Sequence, residues 1–137
     1  MKFSYRKTPS DDPSQRWFSR PIIDVTVSGD KSTTVAALVD SGADISLFNV
    51  EVAEYIGLDV EKGRIVYVGG VGEGRLKAYL HKVKLQVEGI EKAVEVPIAF
   101  TENLGVSGIL GQEGFFDTHR IKFEKDHDTF EITPVKK

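Results

Sequence analysis

Asp40-Ser41-Gly42-Ala43-Asp44 is the stretch whose residue types could do chemistry. It follows directly on the apolar Ala36-Ala37-Leu38-Val39, so a carboxylate is delivered at the end of a buried strand into a tight loop. That is an unusual setting for a solvated aspartate. Gly42 lets the backbone turn without a Cβ and approach a neighbour closely, and the Ser41 hydroxyl can hydrogen-bond nearby backbone and fix the loop. A carboxylate on a rigid loop is what general acid–base chemistry needs. The triplet Asp-Ser/Thr-Gly decides nothing alone, since average residue usage puts it in on the order of one chain in twenty of this length. Two plainer accounts compete with catalysis. One is a turn in which Asp40 caps Gly42 or Ala43. The other is a phosphorylation-dependent degradation motif built on Asp40-Ser41-Gly42 and Ser46, which needs an exposed, disordered segment. Residues 36–39 and Ile45-Ser46-Leu47-Phe48 read instead as buried.

The second candidate is the glycine cluster Gly69-Gly70-Val71-Gly72-Glu73-Gly74. The spacing of Gly69, Gly72 and Gly74 suggests a phosphate cradle, but a phosphate loop needs Gly-Lys-Ser/Thr and a helix behind it. Here Arg75-Leu76-Lys77-Ala78-Tyr79-Leu80 reads as a strand. A flexible hairpin is the better physical account. His81, His119 and His127 are scattered and isolated from ligand partners, so they read as surface histidines and no metal or other cofactor is expected. With no cysteine, disulfides, thiolate zinc sites and a cysteine nucleophile are excluded together.

The elements that must position these residues belong to one folding unit, because 137 residues support a single modest core. A formal charge of -3 and a pI near 5.6 argue against a phosphate-backbone binder, so nucleic acid is not an expected partner. The polar Thr8-Pro9-Ser10-Asp11-Asp12-Pro13 stands where a secretory signal would carry its apolar core, and no apolar run is long enough to span a membrane. The expectation is a soluble cytoplasmic protein without a membrane partner. Residues 1–19 read as a flexible N-terminal arm, with Trp17-Phe18 as an anchor, and 20–137 as the folded domain.

Within that domain, Pro21-Ile22-Ile23-Asp24-Val25-Thr26-Val27 and Thr33-Thr34-Val35-Ala36-Ala37-Leu38-Val39 form a hairpin across Ser28-Gly29-Asp30-Lys31, with Gly29 supplying a positive φ. Asn49 caps a short helix over residues 50–56, which Gly57 stops. Residues 64–68 form a strand before the glycine cluster. Val83, Leu85 and Val87 alternate with Lys82, Lys84 and Gln86 in the long strand after it. Residues 92–100 form another strand, the chain then closes on Gly108-Ile109-Leu110-Gly111, and a second short helix is expected over residues 112–118. A last hairpin pairs residues 121–124 with 129–132.

Three motifs now stand in one order. Asp40-Ser41-Gly42-Ala43-Asp44 resembles the active-site loop of retroviral proteases, Val68-Gly69-Gly70-Val71-Gly72 resembles their flap tip, and Gly108-Ile109-Leu110-Gly111 resembles the apolar-apolar-glycine element behind the catalytic loop. Together they cover roughly residues 20–125 at compatible spacings, which is far more specific than any one motif. The resemblance implies a mainly β fold, a small closed β-barrel of the retropepsin type with one or two short helices, making residues 20–137 a retropepsin-like protease domain. It casts Asp40 as the catalytic aspartate and Ser41 as the hydroxyl linking two symmetry-related loops, a place where viral members more often carry threonine. Gly42 and Ala43 would line the bound peptide, with the Gly42 carbonyl offered to it, and Asp44 would bind substrate backbone amides. Gly69, Gly70 and Val71 would form a flap closing over the peptide. The chain departs from viral members after Gly111, where Gln112-Glu113 stands in place of an arginine that pairs with the acid equivalent to Asp44. The continuation through Phe115-Phe116-Asp117-Thr118-His119-Arg120 looks more like cellular and bacterial retropepsin-like domains, whose dimers use different terminal strands.

One chain holds one Asp-Ser-Gly, so the resemblance implies a homodimer in which Asp40 of each copy faces the other across a two-fold axis. Adjacent carboxylates cannot both ionise cheaply and share a proton. One activates a water while the other polarises the scissile carbonyl of a peptide or protein substrate. The alternative in another class is a noncatalytic retropepsin-like module for peptide binding or assembly. A third is a generic β-barrel binding domain whose motifs coincide by chance.

Overall fold

The computed structural model describes residues 1–69 and 74–136. Side-chain alternation sets the strands. β1 (Lys2–Ser4), β2 (Arg6–Pro9) and β3 (Trp17–Arg20) precede β4 (Ile22–Ser28), in which fully buried Ile23, Val25 and Val27 alternate with half-buried Asp24 and Thr26. In β5 (Ser32–Val39), Val35, Ala37 and Val39 are buried, while Ala36 is exposed and Leu38 half-buried. The apolar run before Asp40 is therefore a one-sided strand, not one buried on both faces as its composition suggested. The β4–β5 hairpin forms as expected, but for a different reason at Gly29. Its φ is not positive. A Cβ there would instead meet the Ile56 carbonyl oxygen at 2.8 Å, so glycine is needed for close approach.

β6 (Leu47–Asn49) leads into helix α1 (Val50–Tyr55). The Asn49 side chain accepts from the Glu51 N–H, and Gly57, at φ +88, ends the helix. β7 (Arg64–Val68) and β8 (Leu76–Val87) form the hairpin that carries the glycine cluster. β9 (Val94–Thr101) and β10 (Gly108–Leu110) follow. In the main sheet the order is β4-β5-β10-β6-β9-β8-β7, and β4 also pairs with β8. Six strands thus close into a ring, with β7 attached outside it through β8. One face of the ring strands supplies the main core, joined by Ala53 and Ile56 around α1 and by Phe115.

β11 (His119–Glu124) and β12 (Thr129–Pro134) make the expected terminal hairpin, whose Phe130 and Ile132 enter the core. Residues 1–19, expected to form a flexible arm, instead take part in three strands, the last of which ends at Arg20. β1 pairs antiparallel with β12, placing Phe3 opposite Phe130 with ring centroids 5.6 Å apart. β2 and β3 form their own hairpin, tied to β4 by Arg6 and Asp24 at 2.9 Å. Phe3 and Tyr5, two aromatics in a short polar segment around β1, are too little pattern to reveal a partner more than a hundred residues away. A second correction concerns residues 112–118, which form a series of turns, not a helix. Gly114 sits at φ +92, incompatible with a continuing helix, and a Cβ on it would meet the Pro97 carbonyl oxygen at 2.8 Å. No helix among the described residues is long and apolar enough to cross a membrane.

Candidate active site

Asp40 is the first residue past β5, a strand held between β4 and β10. Its backbone N–H donates to the Leu110 carbonyl at 2.9 Å, and the preceding Val39 N–H donates to Pro21 at 2.8 Å. The carboxylate is thus launched from backbone fixed on both sides, and Asp40 itself is half-buried. Asp40 Oδ1 accepts from the Gly42 N–H at 2.9 Å, and the Asp40 carbonyl accepts from the Ala43 N–H at 3.2 Å. The Asx turn of the plainer account is therefore present, and it orients the carboxylate without removing it from water. Ser41, Gly42 and Asp44 are exposed and Ala43 is half-buried.

The segment after β10 grips this loop. Gln112 and Glu113 donate their N–H groups to the carbonyls of Ala43 (2.8 Å) and Asp44 (2.9 Å). Ser46, only 1% exposed, accepts from the Gly111 N–H at 3.0 Å and donates to the Glu113 carbonyl at 3.2 Å. A buried Ser46 with both roles filled removes the exposed segment that a degradation motif would need. Gly111 is required by space, because a Cβ would press on the Ile45 carbonyl oxygen and lie 2.7 Å from that of Ala43. Where viral proteases carry an arginine near Asp44, Gln112 instead directs its Nε2 to the Ser41 carbonyl at 2.7 Å.

The stems of the glycine hairpin reach the same side of the sheet. Ile45, Leu47 and Ile109, beside the Asp40 loop, form one apolar cluster with Val66 and Val68 of β7 and with Ala78 and Leu80 of β8. These residues face away from the main core, since their strand neighbours Phe48 and Leu110 point into it. Sequence patterning missed this surface. In β7, half-buried Val66 and Val68 alternate with exposed Ile65 and Tyr67, but all four are apolar or aromatic, so nothing in the composition separates the faces. Gly69, at φ +112, closes the described end of β7. Gly70 and Val71 lie outside the described residues.

A cavity of about 640 Å³ opens between α1 and the start of β8, next to the glycine cluster, lined by Val50, Glu54, Arg75, Tyr79 and Phe100 among others, and none of residues 40–44 borders it. The histidines were expected at the surface, and His119 is not. It is 1% exposed and stacked on Phe115 at 4.7 Å, with Nδ1 near the Thr118 hydroxyl and Nε2 without a hydrogen-bond partner among the described residues. Burial pushes its pKa below the usual imidazole range, partly offset by the Phe115 carbonyl. No three histidine or carboxylate side chains converge as metal ligands would among the described residues.

Comparison with known proteins matches this arrangement to one family. A family model described as aspartyl protease fits residues 23–113, which include both the Asp40 loop and Gly111. Three solved structures share the fold. A retropepsin-like aspartic protease from Rickettsia conorii is 16% identical, with 95% of this chain and 86% of that chain covered and a TM-score of 0.65. The retroviral protease-like domain of Ddi1 from Leishmania major is 23% identical, with 83% and 90% covered and a TM-score of 0.54. EIAV protease, in complex with the inhibitor HBY-793, is 24% identical, with 69% and 83% covered and a TM-score of 0.53. No curated protein sequence is a significant match.

Proposed function

Because the chain belongs to the aspartyl protease family, we propose that it is an endopeptidase acting as a homodimer, with Asp40 of each copy at the shared two-fold axis. The observation that carries this reading is the placement of Asp40: a half-buried carboxylate at the end of a ring strand, with its backbone pinned to Leu110 and its Oδ1 held by the Gly42 N–H. Across the axis the two carboxylates share one proton. The ionised one takes a proton from water as it attacks the scissile carbonyl, and the protonated one donates to the carbonyl oxygen, leaving a tetrahedral diol. Collapse of the diol then passes a proton to the departing amine.

In this reading Ser41 links the two loops, Gly42 and Ala43 line the extended peptide, and Asp44 accepts from its backbone amides. Gly69, Gly70 and Val71 form the tip that closes over it. The apolar cluster from Ile45 to Val68 supports a wall for apolar substrate side chains. With no cysteine requiring an oxidising compartment, we place the enzyme in the cytoplasm.

Digestion of a peptide library between about pH 4 and 7, comparing wild type with Asp40→Asn, tests the reading. Cleavage by wild type alone supports it. No cleavage by a folded wild type, or a strict monomer in sedimentation at the working concentration, favours a noncatalytic binding or assembly module.

A further inference from the structure

The backbone carbonyls of Ser41, Ala43 and Asp44 are all occupied by the segment after β10, and one residue supplies two of the donors. The Gln112 N–H reaches Ala43 at 2.8 Å, and its side-chain Nε2 reaches Ser41 at 2.7 Å. These two carbonyls flank Gly42, whose own carbonyl accepts no hydrogen bond among the described residues. The Ser41 carbonyl and the Gly42 N–H belong to one planar peptide unit, so holding the first fixes the direction of the second. That N–H is the group that donates to Asp40 Oδ1 at 2.9 Å. A chain of three rigid links therefore runs from the Gln112 amide, through the Ser41–Gly42 peptide plane, to the Asp40 carboxylate. Glycine has the widest backbone freedom of any residue, so position 42 is where the loop most needs an outside constraint.

We propose that Gln112 is a positioning residue: by bracketing Gly42 it sets the angle of the Asp40 carboxylate and leaves the Gly42 carbonyl free to receive a substrate N–H. The catalytic part of this statement rests on the endopeptidase reading, but the bracing does not. Gln112 is exposed, so removing its side chain costs the fold little while loosening the loop.

The test uses the full chain and two variants, Gln112→Leu and Gln112→Glu, with amide hydrogen exchange at Gly42 as the primary readout. Gln112→Leu keeps the bulk without the donor, and Gly42 exchange is expected to rise about tenfold over wild type, the scale of one lost hydrogen bond. Gln112→Glu presents a carboxylate to the Ser41 carbonyl at neutral pH and a donating O–H once protonated. Its Gly42 exchange, measured against wild type at each pH, is therefore expected to recover as pH falls through about 4.3; that of Gln112→Leu is not. Where wild type cleaves peptide, kcat is expected to fall about tenfold in Gln112→Leu with an unchanged melting temperature. Gly42 exchange equal to wild type in both variants, or no recovery of Gln112→Glu at low pH, overturns the bracing. An inactive wild type overturns the endopeptidase reading instead, and the exchange measurement still decides the role of Gln112.

Discussion

Replacing Gly111 by alanine adds one methyl group at the tightest contact behind the Asp40 loop. The new Cβ would lie 2.7 Å from the Ala43 carbonyl oxygen and press on that of Ile45. Both obstacles are backbone, so rotating a side chain gives no relief, and residues 43–45 must move away from residues 111–113. That displacement strains two hydrogen bonds, Gln112 N–H to Ala43 and Glu113 N–H to Asp44, each contributing about 1 kcal/mol. Overpacking itself costs about 1–3 kcal/mol. Together these place the destabilisation at about 3–5 kcal/mol, or roughly 10–20 °C in melting temperature for a domain of this size. Thermal melts followed by circular dichroism measure it. Gly105→Ala is the control, because a Cβ there meets nothing within 4 Å. A Gly111→Ala variant that melts within about 2 °C of wild type, on the same scale, would show that the two segments separate freely and that the grip on the Asp40 loop is weak.

Asp40→Asn is expected to abolish peptide cleavage with a change in melting temperature of only a few degrees, since an amide oxygen can still accept from Gly42 while the proton-sharing carboxylate is gone; substantial residual turnover in a clean preparation would contradict the assignment. Ser46→Ala is expected to cost about 1–3 kcal/mol in urea unfolding, because it strips the Gly111 N–H and the Glu113 carbonyl of a buried partner. The pH dependence of stability carries the signature of His119. Its folded pKa is depressed by burial and by Lys92, with Asp117 acting oppositely, so the unfolded chain binds the proton more readily. Stability is full above the unfolded value of about 6.5 and falls as pH drops below it, until the folded pKa is passed. His119→Phe, which keeps the stack on Phe115, should flatten that slope between about pH 7.5 and 5; an unchanged slope would assign it to other groups.

What could be read from sequence, and what could not, separates along the range of the interactions involved. Asp40, Asn49 and Gly57 declare themselves through local chemistry: a carboxylate after an apolar strand, a capping side chain, a residue tolerant of positive φ. The β4–β5 and β11–β12 hairpins and the alternation of Val83, Leu85 and Val87 were legible for the same reason, because period and turn lie within a few residues. The pairing of β1 with β12 joins opposite ends of the chain, and its residues show no pattern until Phe130 is opposite Phe3. The helix expected over residues 112–118 failed at Gly114, whose backbone is fixed by the close approach of Pro97, a contact of tertiary origin. Gln112 could be recognised as a departure from the viral pattern, but its bond to Ser41 needed coordinates. The apolar surface from Ile45 to Val68 stayed hidden because strands bearing apolar residues on both faces do not say which face is the core.

Protons enter both the proposed chemistry of the loop and the stability of the fold behind it. On the proposed reading, catalysis needs one proton shared by two Asp40 carboxylates. Folding loses stability as pH falls. The buried His119 favours its neutral form, and its contribution declines once pH falls below about 6.5. Asp24, whose carboxyl is held below its ordinary range chiefly by the Arg6 hydrogen bond, withdraws a partly solvent-screened contribution at still lower pH. Arg6 belongs to the β2–β3 hairpin, so that loss also loosens the N-terminal strands from β4. His119 follows the turn that begins at Gln112 and bonds back to Phe115, and that turn continues directly from the grip on residues 41–46. Of His119 and Asp24, acid therefore acts first on His119, in the support behind the Asp40 loop. A variant flattened at His119 should therefore keep its melting temperature to lower pH than wild type, as thermal melts across that range would measure.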